Sequence, residues 1–257
     1  MWPFGVLQYA WSKRNGLFSL RTLAEPFVTS QLSGNIISIR ERIEGACRRV
    51  GRQPQEVRLV AVSKTFPAEA IREAFEAGLR DFGENRVQEA ARKKPLLEDL
   101  SIAWHLVGHL QTNKARTARE LFDCVHSVDS FRLAAKLDEA AGNSGDRLPV
   151  LLQVNLGGEA AKSGLREEDV PEVAECVSRL PSLEVRGLML IPPFFEGPEK
   201  TRPYFRRLRE LAARIAAGRF PNASMGELSM GMSHDFEVAI EEGATIVRVG
   251  TAIFGSR

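Results

Sequence analysis

A closed barrel of eight parallel strands, each followed by a helix, is the fold this sequence predicts. Three observations predict it. From residue 34 onward, short β-branched runs alternate with stretches whose apolar residues recur at three-and-four spacing. Eight such runs can be counted, and they are apolar on both faces. That is the texture of strands covered by helices outside and filled by side chains inside. The length, 257 residues, suits one large α/β domain, and no shift of composition marks a second. The rival is a doubly wound open sheet, which normally has fewer strands and a Gly-rich turn after the first. Here the first strand runs into Ser63-Lys64-Thr65.

The elements follow in order. An opening helix over 34–50 precedes the barrel, with Ile36, Ile39, Ile43, Ala46, Cys47 and Val50 along one side. Strands are expected at 57–62, 81–83, 104–108, 124–127, 150–155, 185–190, 227–230 and 246–249. Helices fit between them at 67–78, 85–98, 112–121, 130–142, 169–180, 199–218 and 234–242. Gly78, Gly142, Gly218 and Gly243 fall where helix C-caps belong. The barrel is thus expected over 34–257, behind an extension of residues 1–33. That extension is rich in aromatic and basic residues and poor in acids, and it lacks both a continuous apolar core and a small-residue cleavage site. It reads as a loosely ordered addition, with a targeting role as the alternative.

The charge is nearly balanced, at +2, which gives no strong pull toward nucleic acid or a membrane surface. No apolar run approaches the roughly 18 residues needed to span a bilayer. Cys47, Cys124 and Cys176 are scattered, with no CxxC pair. They read as reduced thiols of a cytoplasmic protein and argue against a zinc site.

Chemistry in a barrel gathers where strands end. Those ends carry Lys64, Asn85, His109, Ser127, Asn155, Met189-Leu190, the run Ser229 to Ser233, and Arg248 to Thr251. Lys64 follows Leu59-Val60-Ala61-Val62 at the inner mouth of the first strand. Partial desolvation there would make its amine nucleophilic, as imine chemistry requires. Position alone favours the plainer reading, a lysine snorkelling to solvent. Ser229-Met230-Gly231-Met232-Ser233 leads from the seventh strand into a helix, and its small residues and exposed N–H groups suit an anion. The plainer reading is an ordinary turn with Ser233 as N-cap. Arg248-Val249-Gly250-Thr251 ends the eighth strand. Arg248 and Gly250 share one face by period two, and loops after strands seven and eight commonly hold phosphate in barrels. Arg248 could instead pair with a barrel carboxylate such as Glu84. Together, an amine on strand one and an anion cradle after strands seven and eight describe a ligand that is both aldehyde and phosphate.

These residues resemble the YggS/PROSC family of pyridoxal 5′-phosphate (PLP) homeostasis proteins over about residues 34–257. The likeness is carried by Val60-Ala61-Val62-Ser63-Lys64-Thr65, Phe82-Gly83-Glu84-Asn85-Arg86-Val87-Gln88-Glu89, and Trp104-His105-Leu106-Val107-Gly108-His109-Leu110-Gln111. It continues through His126-Ser127-Val128-Asp129, Gln153-Val154-Asn155, Lys162-Ser163-Gly164 and Arg186-Gly187-Leu188-Met189, and closes with the runs at 229–233 and 247–251. Leu106 stands where Phe or Met is more usual, and Met189-Leu190-Ile191 where Met-Thr-Ile is common. The resemblance implies a (β/α)8 TIM barrel like the N-terminal domain of alanine racemase, with an extra N-terminal helix. It implies a Schiff base of PLP on Lys64, and a phosphate held by Ser229, Gly250 and Thr251 with backbone help from Met232 and Ser233. It places Arg248 at the pyridine nitrogen, and Asn85 and Met189 beside the ring. His105, His109 and Ser127 are expected as supporting residues at the mouth, and His126 as a structural histidine.

An arginine beside the pyridine nitrogen disfavours its protonation and weakens the ring as an electron sink. Alanine racemase has a similar arginine but also a second base, a tyrosine from an additional domain of its partner subunit. Here the tyrosines are Tyr9, in the extension, and Tyr204. The resemblance therefore implies a non-catalytic PLP carrier that buffers the cofactor and delivers it to apoenzymes, monomeric and without a metal. The alternatives are a racemase-like PLP enzyme acting on amino acids, and a barrel with no cofactor.

Overall fold

A computed structural model describes residues 30–141, 145–158 and 163–255. Most of the expected extension, together with Gly142 and Lys162, lies outside the described residues. The chain opens with helix α1 (Gln31–Arg49), three residues ahead of the expected start. Ser30 caps it, its Oγ accepting from Ser33 N–H at 3.1 Å. Ile36, Ile39, Ile43, Ala46 and Cys47 form its buried stripe, as the spacing predicts, but Val50, expected with them, is the exposed C-cap beyond the helix.

The barrel strands are β1 (Arg58–Val62), β2 (Asp81–Glu84), β3 (Ala103–Leu106), β4 (Cys124–Val128) and β5 (Leu148–Asn155). A two-residue strand, β6 (Leu165–Arg166), precedes β7 (Leu183–Leu190), β8 (Ala223–Ser229) and β9 (Ile246–Val249). They pair in the order β4-β3-β2-β1-β9-β8-β7-β5, and a β4–β5 pairing closes the ring. All barrel pairings are parallel. β6 lies outside the ring on the edge of β5, where Val154 and Asn155 meet Leu165 and Arg166. Two residues carry no periodic pattern, so this ninth strand was not expected.

The connecting helices are α2 (Ala68–Glu76), α3 (Val87–Lys93), α4 (Ala115–Leu121), α5 (Phe131–Glu139), α6 (Val170–Ser178), α7 (Arg202–Ala216) and α8 (Phe236–Glu241). The helix expected over 85–98 breaks at Lys93 into a 3-10 turn, Lys94–Leu97. Pro95 has no N–H to continue the α-helical ladder. A short helix, α9 (Thr251–Phe254), follows β9 where none was expected. Gly78 and Gly243 take the left-handed cap conformation, with φ of 91° and 102°. Gly218 does not; the residue after it, Arg219, does so, with φ 50°.

α1 packs on α2, α8 and α9 and so covers the seam where the first and last barrel strands meet. Asn35 Nδ2 donates to Ile253 O at 2.9 Å, and Arg42 and Arg49 pair with Glu237 and Glu241. Two cores result. A large apolar shell lies between strands and helices, and a separate inner layer is made by Val60, Leu151, Met189 and Ile246.

One glycine is dictated by close approach of two strands. A Cβ on Gly187 would lie 1.8 Å from Glu227 O, the residue opposite it in β8. Gly187→Ala is therefore expected to destabilise the protein by roughly 3 kcal/mol or more in chemical denaturation. Gly226→Ala, with nothing within 4 Å of the added atom, should stay within about 0.5 kcal/mol.

Candidate functional site

The site lies at the C-terminal ends of the strands. Register places its parts together. β1 lies between β2 and β9, with Val62 opposite Gly83 and Ala61 opposite Val249. Lys64, two residues beyond Val62, thus stands between Asn85 and Gly250-Thr251. β1 and the end of β9 approach closely, since a Cβ on Gly250 would come within 3.2 Å of Val62 O.

Lys64 sits on an exposed two-residue turn, so the expected partial desolvation is not found. The turn is unusual in another way. Thr65 has φ 66°, a left-handed conformation that costs a β-branched residue roughly 1–2 kcal/mol. It is held there by Glu89, whose Oε2 accepts from Thr65 N–H at 2.7 Å. Beneath it, Lys93 Nζ reaches Ser63 O at 2.9 Å and Glu84 Oε1 at 2.7 Å, and Ser63 Oγ donates to Glu84 at 2.8 Å. Glu84 is fully buried and its Oε2 has no hydrogen-bond partner. Burial pushes its carboxyl above the usual range, against the pull of Lys93 and Ser63. Burial acts the same way on Glu89, but Thr65 N–H and Lys93 outweigh it and hold that carboxyl low. Phe66 stacks on Phe254 of α9 at 5.0 Å, bracing the turn against the last helix.

Across β9 lies the loop 230–235. Gly231 turns it with φ 91°, and Asp235 Oδ1 accepts from Met232 N–H at 2.7 Å. Asp235, not Ser233, is the N-cap residue of α8. Ser233 points to the opposite helix, its Oγ accepting from Gly250 and Ala252 N–H at 3.3 Å each. Met232 is exposed at the rim. Thr251 is exposed at the start of α9.

Arg248 is only 4% exposed. It does not meet Glu84; its Nη1 donates to Ser229 Oγ at 2.6 Å and its Nη2 to Leu190 O at 2.8 Å. Burial pushes its pKa down to about 10, with Asp235 acting the other way. Met189 is fully buried, level with Ser229 in the register and part of the inner layer. Asn85 is half-buried at the end of β2, and its carbonyl lies where a Cβ on Gly108 would come within 2.3 Å.

The histidines divide. His109 is exposed at the mouth, with Nδ1 3.1 Å from both Ser163 Oγ and Asp129 Oδ2. Ser127 is buried and donates to Gly108 O at 2.7 Å. His105, expected at the mouth, lies instead inside the barrel, 3.0 Å from Asp81 at the start of β2 and 3.0 Å from His126 Nε2. His126 Nδ1 is 2.8 Å from Ser229 Oγ, so the expected structural histidine touches the site directly. Burial, then the neighbouring His105 and Arg248, hold His126 well below the usual imidazole range. Each histidine lies on the inward-facing alternation of its strand, a side that strands apolar on both faces do not mark in the sequence.

Two outcomes follow. Lys93→Met leaves Glu84 buried without a counter-charge and should cost about 3–5 kcal/mol by urea denaturation. His126 stays neutral in the folded chain but takes a proton when unfolded, so it removes stability as pH falls below about 6.5. The slope from this one group is about 1.4 kcal/mol per pH unit, and His126→Gln should remove it from the pH dependence of denaturation.

The family model for the alanine racemase N-terminal domain matches residues 35–257. A pyridoxal phosphate homeostasis protein of Pseudomonas aeruginosa is 49% identical over 228 residues, covering 89% of this chain and 96% of the relative. That of Aquifex aeolicus is 48% identical over 217 residues, covering 84% and 94%. PipY of Synechococcus elongatus, solved with PLP bound, is 43% identical with a TM-score of 0.78, and the match covers 88% of this chain and all of that one. An alanine racemase of Clostridium difficile, 13% identical with a TM-score of 0.65 over 88% of this chain and 56% of its own, shares the fold. With its closed barrel, a family model that matches residues 35–257 and relatives of this identity over nearly their whole length, the chain belongs to the pyridoxal phosphate homeostasis protein family, within the alanine racemase N-terminal domain family.

Proposed function

We propose that this chain binds pyridoxal 5′-phosphate reversibly, with Lys64 as its covalent anchor, and serves to store and deliver the cofactor. The observation that carries the reading is the juxtaposition, across β1 and β9, of the Lys64 turn and the Ser233–Gly250–Thr251 cradle. The cradle fits an anion: two N–H groups converge at 3.3 Å on the hydroxyl of Ser233, longer than strong bonds to an anionic oxygen. When bound, the cofactor supplies an aldehyde that condenses with an amine and releases water.

The chain's own residues divide the work. Lys64 provides the amine from a turn fixed by Glu89. Gly250 and Thr251, with the backbone of Met232 and Ser233, hold the phosphate; Ser229, expected beside them, is fully buried and acts through Arg248, because its one hydroxyl hydrogen is directed at His126. Arg248 meets the pyridine nitrogen, and its charge keeps a proton off that atom. Asn85 flanks the ring, and Met189 floors the pocket. Storage is favoured over turnover because no described tyrosine stands at the site. Tyr204, the sole tyrosine among the described residues, is packed into the outer shell on α7. Three free cysteines, two of them buried, fit the reducing cytoplasm, and a monomer handing PLP to apoenzymes completes the reading. No described helix is long and apolar enough to cross a membrane.

Borohydride reduction of the PLP-loaded protein, followed by peptide mapping, should place a pyridoxyl group on Lys64, and Lys64→Ala should lose it. An unmodified Lys64 peptide would sink the anchoring. Sustained product formation from an amino acid, abolished in Lys64→Ala, would replace the carrier by an enzyme.

A further inference from the structure

The inside of a parallel barrel is normally filled with layers of apolar side chains. Here a polar column runs through it from floor to mouth: Asp81 on β2, His105 on β3, His126 on β4, Ser229 on β8 and Arg248 on β9. His105, His126 and Ser229 are buried, and the Asp81 side chain, 26% exposed, is the end nearest solvent.

The two ends fix the direction of every bond between them. A guanidinium can only donate and a carboxylate can only accept. Ser229 Oγ takes a hydrogen from Arg248 and sends its own to His126 Nδ1. His126 therefore carries its proton on Nε2 and donates to His105 Nδ1. His105 in turn carries its proton on Nε2 and donates to Asp81. With one proton on each ring, every bond polarises the next in the same sense. Arg58 from β1, 3.7 Å from both Asp81 and Glu227, and Arg186 from β7, beside Glu184 and Glu227, complete the charges at the floor. Asp235 is the acid that faces Arg248 at the mouth.

A buried metal site is the competing use of these residues, because His105, His126 and Cys124 offer ligand atoms within 4.8 Å of one another. All four ring nitrogens are already engaged in the column, and burial holds the Cys124 thiol protonated. The geometry serves the column better than a cation.

We infer that Asp81, His105 and His126 are positioning residues which, acting through Ser229, hold Arg248 in one orientation, so that the barrel floor sets how the arginine meets a ligand at the mouth. The ligand half of this inference rests on the proposed cofactor reading, and the proton arrangement does not.

The test begins with the 15N shifts of the histidine rings in the cofactor-free protein. Both buried rings should carry Nε2–H alone. Asp81→Leu removes the acceptor at the floor, and the column should reverse. His105 and His126 then carry Nδ1–H, Ser229 accepts from both sides, and Arg58 supplies a hydrogen to His105 Nε2. Asp81→Glu keeps an acceptor-only carboxylate and should keep the original direction. At the mouth, Asp81→Leu should weaken PLP binding roughly tenfold and shift the absorbance band of the bound cofactor. Asp81→Glu should change the affinity by less than about twofold.

A wild-type ring protonated on Nδ1 overturns the inference, and that measurement stands even if Asp81→Leu does not fold. Unchanged tautomers in Asp81→Leu overturn it as well, as does a reversed column with unchanged PLP binding. One equivalent of zinc that displaces the histidine signals would establish the metal site in its place. A wild-type chain that takes up no PLP sinks the cofactor reading while leaving the tautomer result intact.

Discussion

A guanidinium buried inside a barrel must replace its water with protein acceptors, and the arrangement around Arg248 is organised by that need. Leu190 O and Ser229 Oγ supply the acceptors. Ser229 can serve only because His126 takes the hydrogen that the hydroxyl gives up, and His126 only because His105 and Asp81 follow. A charge placed near the ligand level thus dictates side chains as far away as the opposite end of the barrel. The apolar inner layer of Val60, Leu151, Met189 and Ile246 is correspondingly small.

The lysine is organised by a second set of buried charges, which does not touch the first. Glu84, Lys93 and Glu89 stand under the turn and fix Thr65 in a conformation it would not choose. Strain at one backbone residue is thereby balanced by hydrogen bonds to its N–H and to Ser63 O, and the Lys64 backbone gains a defined direction. The side chain itself stays in solvent. An exposed amine on a rigid base suits a tether that must be reached and released.

Much of this was legible in the chain. The eight barrel strands, the opening helix and the two loops around Gly231 and Gly250 follow from period, β-branching and small residues at strand ends. What was not legible depends on neighbours distant in sequence. Nothing local says that Lys93 reaches back beneath Ser63, although Glu89 and Lys93 stand one helical turn apart. Nothing local tells a histidine that spans a barrel from one that merely fills it. His105 and His126 sit 21 residues apart and meet only because β3 and β4 pair. The plainer of the two readings of Ser233, as the cap of its own helix, fails because its partners, Gly250 and Ala252, come from a different strand end.

The seam between β1 and β9 has a consequence for how the protein is made. Lys64 follows the first strand and Gly250 the last described one, so the two are separated by almost the entire barrel in sequence. During synthesis the amine emerges early and the cradle late. A ligand that needs both can engage only a chain whose final strand has docked, and it adds its binding energy to that closed state alone. Occupancy therefore reports completed folding, and a nascent or truncated barrel cannot sequester the ligand in advance.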